Sequence, residues 1–400
     1  MAQAPSSAGR IAGIDELQLA HQRVLVRVDF DVPLGDHGEV ADDRKLRAAL
    51  PTLHKALQEG ARLVLATQLT DKADKPISLE PVALKLAELL GRDVLLPDEC
   101  VGDAARKVVG DLREGQVCLL ENLGFAAEEL SNDEGFARRL AALCDVYVAE
   151  AFGCAHLTQA SLVALPKLLK VKGMGYRVQA ELSGLARAAV TVQKPFVGIL
   201  GGTGLLENLE VLELMLGRCD SVCVAGVPGS TLLAAREQDL KESRFERDQL
   251  ALGRALLAKA RDRRIELLLP SDVVVASSAE AAEGRAVGVG SIPDGSGAFD
   301  IGPQTLSAFQ ARIAQAQTVL MHGALGKLEN PAFAAGTRGV LNALSETPAF
   351  GVVTGTAATA LAEQAGAELE SKIGLVSTGG MASLAVIEGQ KLPSIEALRE

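Results

Sequence analysis

The sequence predicts an α/β protein of two domains, each with a parallel sheet covered by helices on both faces. Three observations predict this. Short apolar runs alternate with amphipathic helical stretches from end to end, which is the pattern of parallel sheets in three αβα layers. The alternation restarts near the midpoint, after a helical stretch at 175–187. The chain has 400 residues, too many for one ordinary hydrophobic core.

In the first half the strand-like runs are 23–30, 61–67, 116–120 and 145–149. Between them stand helix signatures. Ser78, Glu80 and Pro81 precede a periodic stretch that Gly91 closes, giving cap, first-turn proline and terminal glycine in order. Ser131 and Glu134 have the spacing of a capping box before 136–143. Pro51 interrupts 42–59, so a kink or two short helices are expected there. In the second half the buried runs are 194–200, 221–225, 265–269, 318–321 and 350–353, with helical stretches such as 205–216 and 248–260 between them. No short-period repeat indicates a solenoid.

Hydrophobic residues make up 48% of the chain and charged residues 23%, so both halves can bury a core. Only the first dozen residues have a disordered composition. Residues 1–13 lack a basic start followed by an apolar run, and no 18-residue apolar run occurs, so neither a secretion signal nor a membrane span is expected and the location expected is cytoplasmic. A net charge of −11 speaks against nucleic acid and anionic membrane as partners. The six cysteines, Cys100, Cys118, Cys144, Cys154, Cys219 and Cys223, read as free thiols, mostly buried. Cys219 and Cys223, and Cys154 near His156, fall short of a metal-ligand set, so no metal site is expected.

Ligands of open parallel sheets bind beyond the carboxyl ends of the strands. Asp29 and Asp31 follow the first strand and share a face. They suit metal binding or acid–base work, or are solvated strand-end acids. Arg44, on the next helix, is placed to meet Asp29. Gly201-Gly202-Thr203-Gly204 leads from a strand into a helix. It is either a phosphate cradle or a plain tight turn. Ser377-Thr378-Gly379-Gly380 repeats the device. His322 reads as a loop-end histidine. No nucleophile elbow or metalloprotease motif appears.

Together these segments resemble phosphoglycerate kinase, in order and across nearly the whole chain. Arg27-Val28-Asp29-Phe30-Asp31-Val32-Pro33 is similar to that family's R-V-D-F-N-V-P, and Leu119-Leu120-Glu121-Asn122-Leu123-Gly124-Phe125 to L-L-E-N-L-R-F. Ala151-Phe152-Gly153 with Ala155-His156 resembles A-F-G-x-A-H-R, and Ile199-Leu200-Gly201-Gly202 resembles I-L-G-G. Asp300-Ile301-Gly302-Pro303, Gly336-Thr337 and Ser377-Thr378-Gly379-Gly380 match further landmarks. The resemblance implies two Rossmann-like domains, 1–174 and 189–387, joined by a helical hinge at 175–188, with the tail 388–400 packed back on the first. It implies 3-phosphoglycerate on a basic patch of the first domain, Mg-ATP or Mg-ADP on the second, and hinge closure for in-line transfer. A monomer is expected.

Carried over residue by residue, most of the family's site is missing. Asp29, Arg44 and His156 match the substrate patch, with Asp31 in place of its Asn. Gly201, Gly202, Glu329, Gly379 and Gly380 match the nucleotide site, Glu329 on the ribose. Five cations are replaced, at Asp71, Gly124, Leu157, Gly204 and Asn208. The family's substrate-loop His is Gln68, its W-N-G-P Asn is His322, and its magnesium Asp is Ala357. Lys72, Lys172, Arg177 and Lys327 lie close in sequence, with no reason to reach the lost positions in space. Phosphoryl transfer is positioning plus neutralisation of charge. No residue is therefore assigned a catalytic role. The function expected is that of a catalytically degenerate relative with a binding or regulatory role, retaining at most weak adenine-nucleotide binding and acting through an unidentified protein partner. The alternative is an active kinase transferring phosphate between 1,3-bisphosphoglycerate and ADP through a rearranged site. Asp29-x-Asp31 also resembles a haloacid-dehalogenase opening, but Pro33 and the missing second motif disagree with it.

Overall fold

The computed structural model describes residues 10–189 and 192–399. Residues 1–9, part of the stretch expected to be disordered, lie outside the described residues. Ile11 within that stretch is buried, and the Met174 N–H donates to Ala12 O at 2.9 Å. Two compact units form, one of Met1–Leu182 with Gln390–Glu400, the other of Ser183–Gly389. A helix, Tyr176–Ala189, runs from the first into the second.

The first unit carries β1 (Arg23–Arg27), β2 (Arg62–Ala66), β3 (Val94–Leu95), β4 (Val117–Leu119), β5 (Val146–Ala149) and β6 (Val171–Met174), paired in the order β3-β4-β2-β1-β5-β6. Every pairing is parallel. The central strands are buried on both faces, as their unbroken apolar runs require. Ala397, near the chain end, packs with Leu162 and Val163, and the Ser394 N–H donates to Ala155 O at 3.3 Å.

The second unit carries β7 (Phe196–Leu200), β8 (Ser221–Val224), β9 (Glu266–Leu268), β10 (Asp272–Ala276), β11 (Arg285–Gly288), β12 (Gly297–Ile301), β13 (Thr318–His322), β14 (Phe350–Thr354) and β15 (Gly374–Val376). Six form a parallel sheet in the order β15-β14-β13-β7-β8-β9. The other three form an antiparallel sheet, β11-β10-β12. The second unit thus carries the expected parallel sheet and, in addition, a small antiparallel one. The short run 272–276 directly follows Pro270 and Ser271, so it pairs locally with its own neighbours.

Other local expectations also change. Pro51 lies inside one helix, Arg44–Gln58, because its ring faces solvent and the carbonyl it frees can be hydrated. The helix Glu134–Ala141 is capped by Asp133, whose carboxylate accepts from the Phe136 N–H at 2.7 Å. A charged cap at a helix N-terminus outcompetes Ser131, whose hydroxyl turns to Glu128 O instead. Helices expected at 205–216 and 248–260 are Leu209–Arg218 and Leu250–Asp262. All six cysteines are free, and burial pushes each thiol pKa up. Among the described residues no helix is long and apolar enough to cross a membrane.

Glu150 sits where β5 ends and the helix Tyr176–Ala189 begins. Burial pushes its carboxyl up to about 7, against hydrogen bonds from Thr52 Oγ1 at 2.6 Å and from the Arg177 N–H. Between about pH 4 and 7 the folded state therefore keeps a proton that the unfolded chain has lost. This contribution is full below about pH 4 and is lost as pH rises through 7. In urea melts, the stability of the parent minus that of Glu150→Gln should fall by about 1–3 kcal/mol from pH 5 to pH 8. A difference flat across that range would contradict the assignment.

Candidate functional site

In the first unit the retained acids are already partnered. The Lys45 ammonium donates to Asp29 Oδ1 at 3.0 Å. Burial lowers the Lys45 pKa, but the charge and hydrogen bond of Asp29, with Asp31 beyond, outweigh it and the net shift is upward. Arg44 forks onto Asp42, with Nε 2.8 Å from both carboxylate oxygens. Asp42 lies two residues away at the helix start, a shorter reach than Asp29. Asp31 Oδ1 accepts from the Thr70 N–H at 3.1 Å. Asp71, in the lost arginine's place, accepts from the N–H groups of Ala73 and Lys75 at 2.8 and 2.9 Å, which holds its pKa low. A side chain at Gly124 would meet Asn122 Oδ1 at 3.0 Å and Pro76 Cβ at 3.3 Å. His156 Nδ1 and Gln68 Nε2 are buried without a hydrogen-bond partner among the described residues. The remnant patch therefore offers polar atoms, but its acids take up the nearest cation.

The second unit holds a cavity of about 650 Å³ within its own fold. That is ample for a nucleoside-sized ligand. Its walls come from the turn after β7, the segment after β8, the β10–β12 sheet, and the loops after β13 and β14. Gly202 and Glu329 line it; Gly201, Gly379 and Gly380 do not. Gly201 is instead pressed against Ala324, whose carbonyl oxygen would lie 2.0 Å from an added Cβ. Gly379 donates to Ser377 Oγ at 3.2 Å, and Gly380, at φ +52°, precedes the helix Met381–Glu388.

The glycine turn does not make an open phosphate cradle. The Gly201 N–H donates to His322 O and the Gly202 N–H to Ala324 O, both at 2.8 Å. The Leu205 N–H donates to the Glu246 carboxylate. Thr203 Oγ1 donates to Glu207, and Asn208 Nδ2 turns back to Gly204 O at 2.6 Å. The lysines expected at 204 and 208 are thus replaced by a bare backbone and a self-satisfied amide, beside two carboxylates.

His322 ends β13, and its Nδ1 lies 2.9 Å from Thr354 Oγ1. Burial pushes its pKa down to about 4, overriding the nearby Glu207 charge, so the ring is neutral at pH 7. Ala357 lines the cavity where the family's metal-binding Asp would stand. Asp300 also lines it, but accepts from the Ile301 and Gly336 N–H groups, both at 2.8 Å, and burial pushes its pKa up to about 6. Among the described residues no group of three His, Cys, Asp or Glu could hold a metal ion.

Two cations reach the cavity wall, Lys327 and Arg244. The Lys327 N–H bonds to Phe299 O in β12, and Arg244 follows Ser243, which accepts from the Ala298 N–H. Both therefore stand beside the β10–β12 sheet. In the first unit Lys172 donates to Pro166 O at 2.8 Å, and Arg177 pairs with Glu181 at 2.8 Å.

The family model for phosphoglycerate kinase matches residues 14–390. The chain belongs to the phosphoglycerate kinase family. It is 45% identical over 393 residues to phosphoglycerate kinase of Anaeromyxobacter dehalogenans strain 2CP-C, covering 97% of this chain and 99% of that one. It is 40% identical to phosphoglycerate kinase of Nostoc sp. strain PCC 7120, covering 98% of each. Among solved structures it is similar to phosphoglycerate kinase from Coxiella burnetii, with TM-score 0.83, 30% identity, and 97% and 99% of the two chains covered. It is also similar to phosphoglycerate kinase from Pyrococcus horikoshii OT3, with TM-score 0.79, 27% identity, and 96% and 98% covered.

Measured against the phosphoglycerate kinase pattern, the sequence shows which residues are lost but not what replaces them. Lys45 was hidden beside Arg44, since adjacent helix residues point about 100° apart and spacing does not say which one reaches Asp29. Glu207 carries a faint signal, four residues after Thr203. Glu246 has none, because it reaches the turn from 41 residues away.

Proposed function

We propose that this chain is a non-catalytic member of the phosphoglycerate kinase family, with a binding or regulatory role carried by a small ligand or a protein partner. The observation that carries the reading is the turn after β7. Its N–H groups at 201, 202 and 205 are spent within the protein, positions 204 and 208 hold Gly and Asn, and the Glu207 and Glu246 carboxylates border the turn. A magnesium-bound triphosphate finds neither the two lysines nor a carboxylate at 357. The residues present therefore do not fit that cofactor. Losing one stabiliser of the transferring phosphoryl group commonly costs about 10²–10³ in rate, and several are absent here. In the first unit, Lys45 is drawn onto Asp29 and Arg44 onto Asp42. This lowers the positive field that a phosphorylated acid requires.

A second reading is favoured by the relatives. Proteins 40–45% identical over nearly the whole chain carry the name phosphoglycerate kinase. On that reading Lys45, Lys327 and Arg244 take over the lost charges. Turnover of 1,3-bisphosphoglycerate and ADP to ATP separates the two: the first reading expects none above background, the second a rate near that of the relatives.

A further inference from the structure

A separate pocket of the second unit shares no residue with the cavity behind β7. It lies where the end of the helix Gly226–Ala235, the helix Leu250–Asp262 and the edge strand β9 meet, and it offers about 540 Å³ open to solvent. Leu257, Ile265 and Leu267 are half-buried in it, and the exposed Arg236, Arg254 and Arg261 line it as well. Arg254, Leu257 and Arg261 recur at the spacing of one helix face. The two helices touch at Gly253, where an added Cβ would lie 2.9 Å from Ala235 Cβ. Arg254 and Arg236, the next residue of each chain segment, therefore flank the same crossing.

The charge of this pocket runs against that of the chain, which is −11 overall. Elsewhere helix cations sit one turn from an acid, as in Arg47–Asp43, Lys55–Glu59 and Lys372–Glu368. No acid stands three or four residues from Arg254 or Arg261. Among the described residues no carboxylate lines the pocket, and the three guanidinium groups have no hydrogen bond or ion pair. Arg236 and Arg261 lie at helix C-termini, which carry about half a negative charge each. Those two ends offset about one of the three arginine charges, so about two remain uncompensated. The apolar floor keeps water from one side and strengthens the field above it.

We propose that this pocket is a binding site for a compact polyanion carrying two or more linked phosphate groups. The guanidinium fork matches phosphate oxygens, and each phosphate can serve more than one arginine. Arg254 and Arg261 are two turns apart, about 10 Å along the axis, so linked phosphates can reach both while a single one cannot. The proposal does not depend on the non-catalytic reading.

Calorimetry of the full chain with tripolyphosphate in magnesium-free buffer tests this. Binding is expected, weakening at least about tenfold between about 0.02 and 0.5 M salt. Inorganic phosphate should bind at least about tenfold more weakly. Arg254→Gln and Arg261→Gln should each weaken tripolyphosphate at least about fivefold. Both sites are exposed and glutamine is a good helix former, so these variants fold. Arg285→Gln, an exposed cation of the same unit, and Lys327→Gln, in the other cavity, should stay within about twofold of the parent. No heat with tripolyphosphate would overturn the proposal. So would binding that Lys327→Gln abolishes and Arg254→Gln leaves unchanged, which would place the anion in the other cavity. Tighter binding of a hexaglutamate peptide than of tripolyphosphate would overturn it too, making the face a docking surface for acidic protein segments. None of these results touches the non-catalytic reading, which stands or falls on kinase turnover.

Discussion

Arg27→Met is expected to destabilise the first unit by about 3–5 kcal/mol, the usual cost of removing one member of a buried ionic group. Arg27 lies in β1 and is 1% exposed. Its Nε donates to Ser161 Oγ at 2.8 Å and its Nη1 to Val28 O at 2.5 Å. Ser161 passes the contact on to Glu129, which is fully buried: Oγ donates to Oε1 at 2.5 Å and the N–H to Oε2 at 2.9 Å. Burial pushes the Glu129 carboxyl up, and the Arg27 charge is the largest effect opposing it. Without Arg27 that carboxylate must either protonate or stay buried as an uncompensated charge. Arg27→Met with Glu129→Leu should recover most of the loss, since an apolar replacement of the whole group is tolerated. The chain has no Trp, so urea melts followed by far-ultraviolet circular dichroism are the measurement, and the two units can melt separately. A loss below about 1 kcal/mol in the single variant would refute the account of this network.

Gly201→Ala is expected to cost the second unit about 3 kcal/mol or more. The added Cβ would lie 2.0 Å from Ala324 O and 2.5 Å from Ala324 C, both backbone atoms that cannot rotate away. The two strand ends are also tied by the Gly201 and Gly202 N–H bonds, so relief means opening the β7–β13 pairing. Gly290→Ala is the control, because nothing lies within 4 Å of its added Cβ. Its stability should stay within about 0.5 kcal/mol of the parent. Equal effects at the two positions would show that close packing is not what requires glycine at 201.

That contrast explains what was legible in the sequence. The parallel strands were readable because strands buried on both faces must be near-continuous apolar runs, as in 196–200 and 318–321. The glycines of 201–202 were readable as a tight turn, but not as the answer to which purpose the turn serves. Only the partners of the N–H groups decide that, and they come from His322, Ala324 and Glu246. The antiparallel sheet escaped because β10 is a five-residue apolar run indistinguishable from a parallel strand until its neighbours are known. Motif comparison located the missing cations residue by residue. It did not reveal that Asp29 takes Lys45, that Arg44 turns to Asp42, or that the turn is bordered by carboxylates, because ion pairing depends on side-chain reach, which no spacing rule contains.

The central claim is that the charge needed for phosphoryl transfer is gone from both sites. The most direct measurement is ATP formation from 1,3-bisphosphoglycerate and ADP with magnesium, run beside the 45%-identical relative from Anaeromyxobacter dehalogenans. The account predicts a rate at least about 10³-fold below that relative, and unchanged by Asp29→Ala or Arg44→Ala. A rate within about tenfold of the relative, abolished by either substitution, would contradict it and establish a working kinase with a rebuilt site.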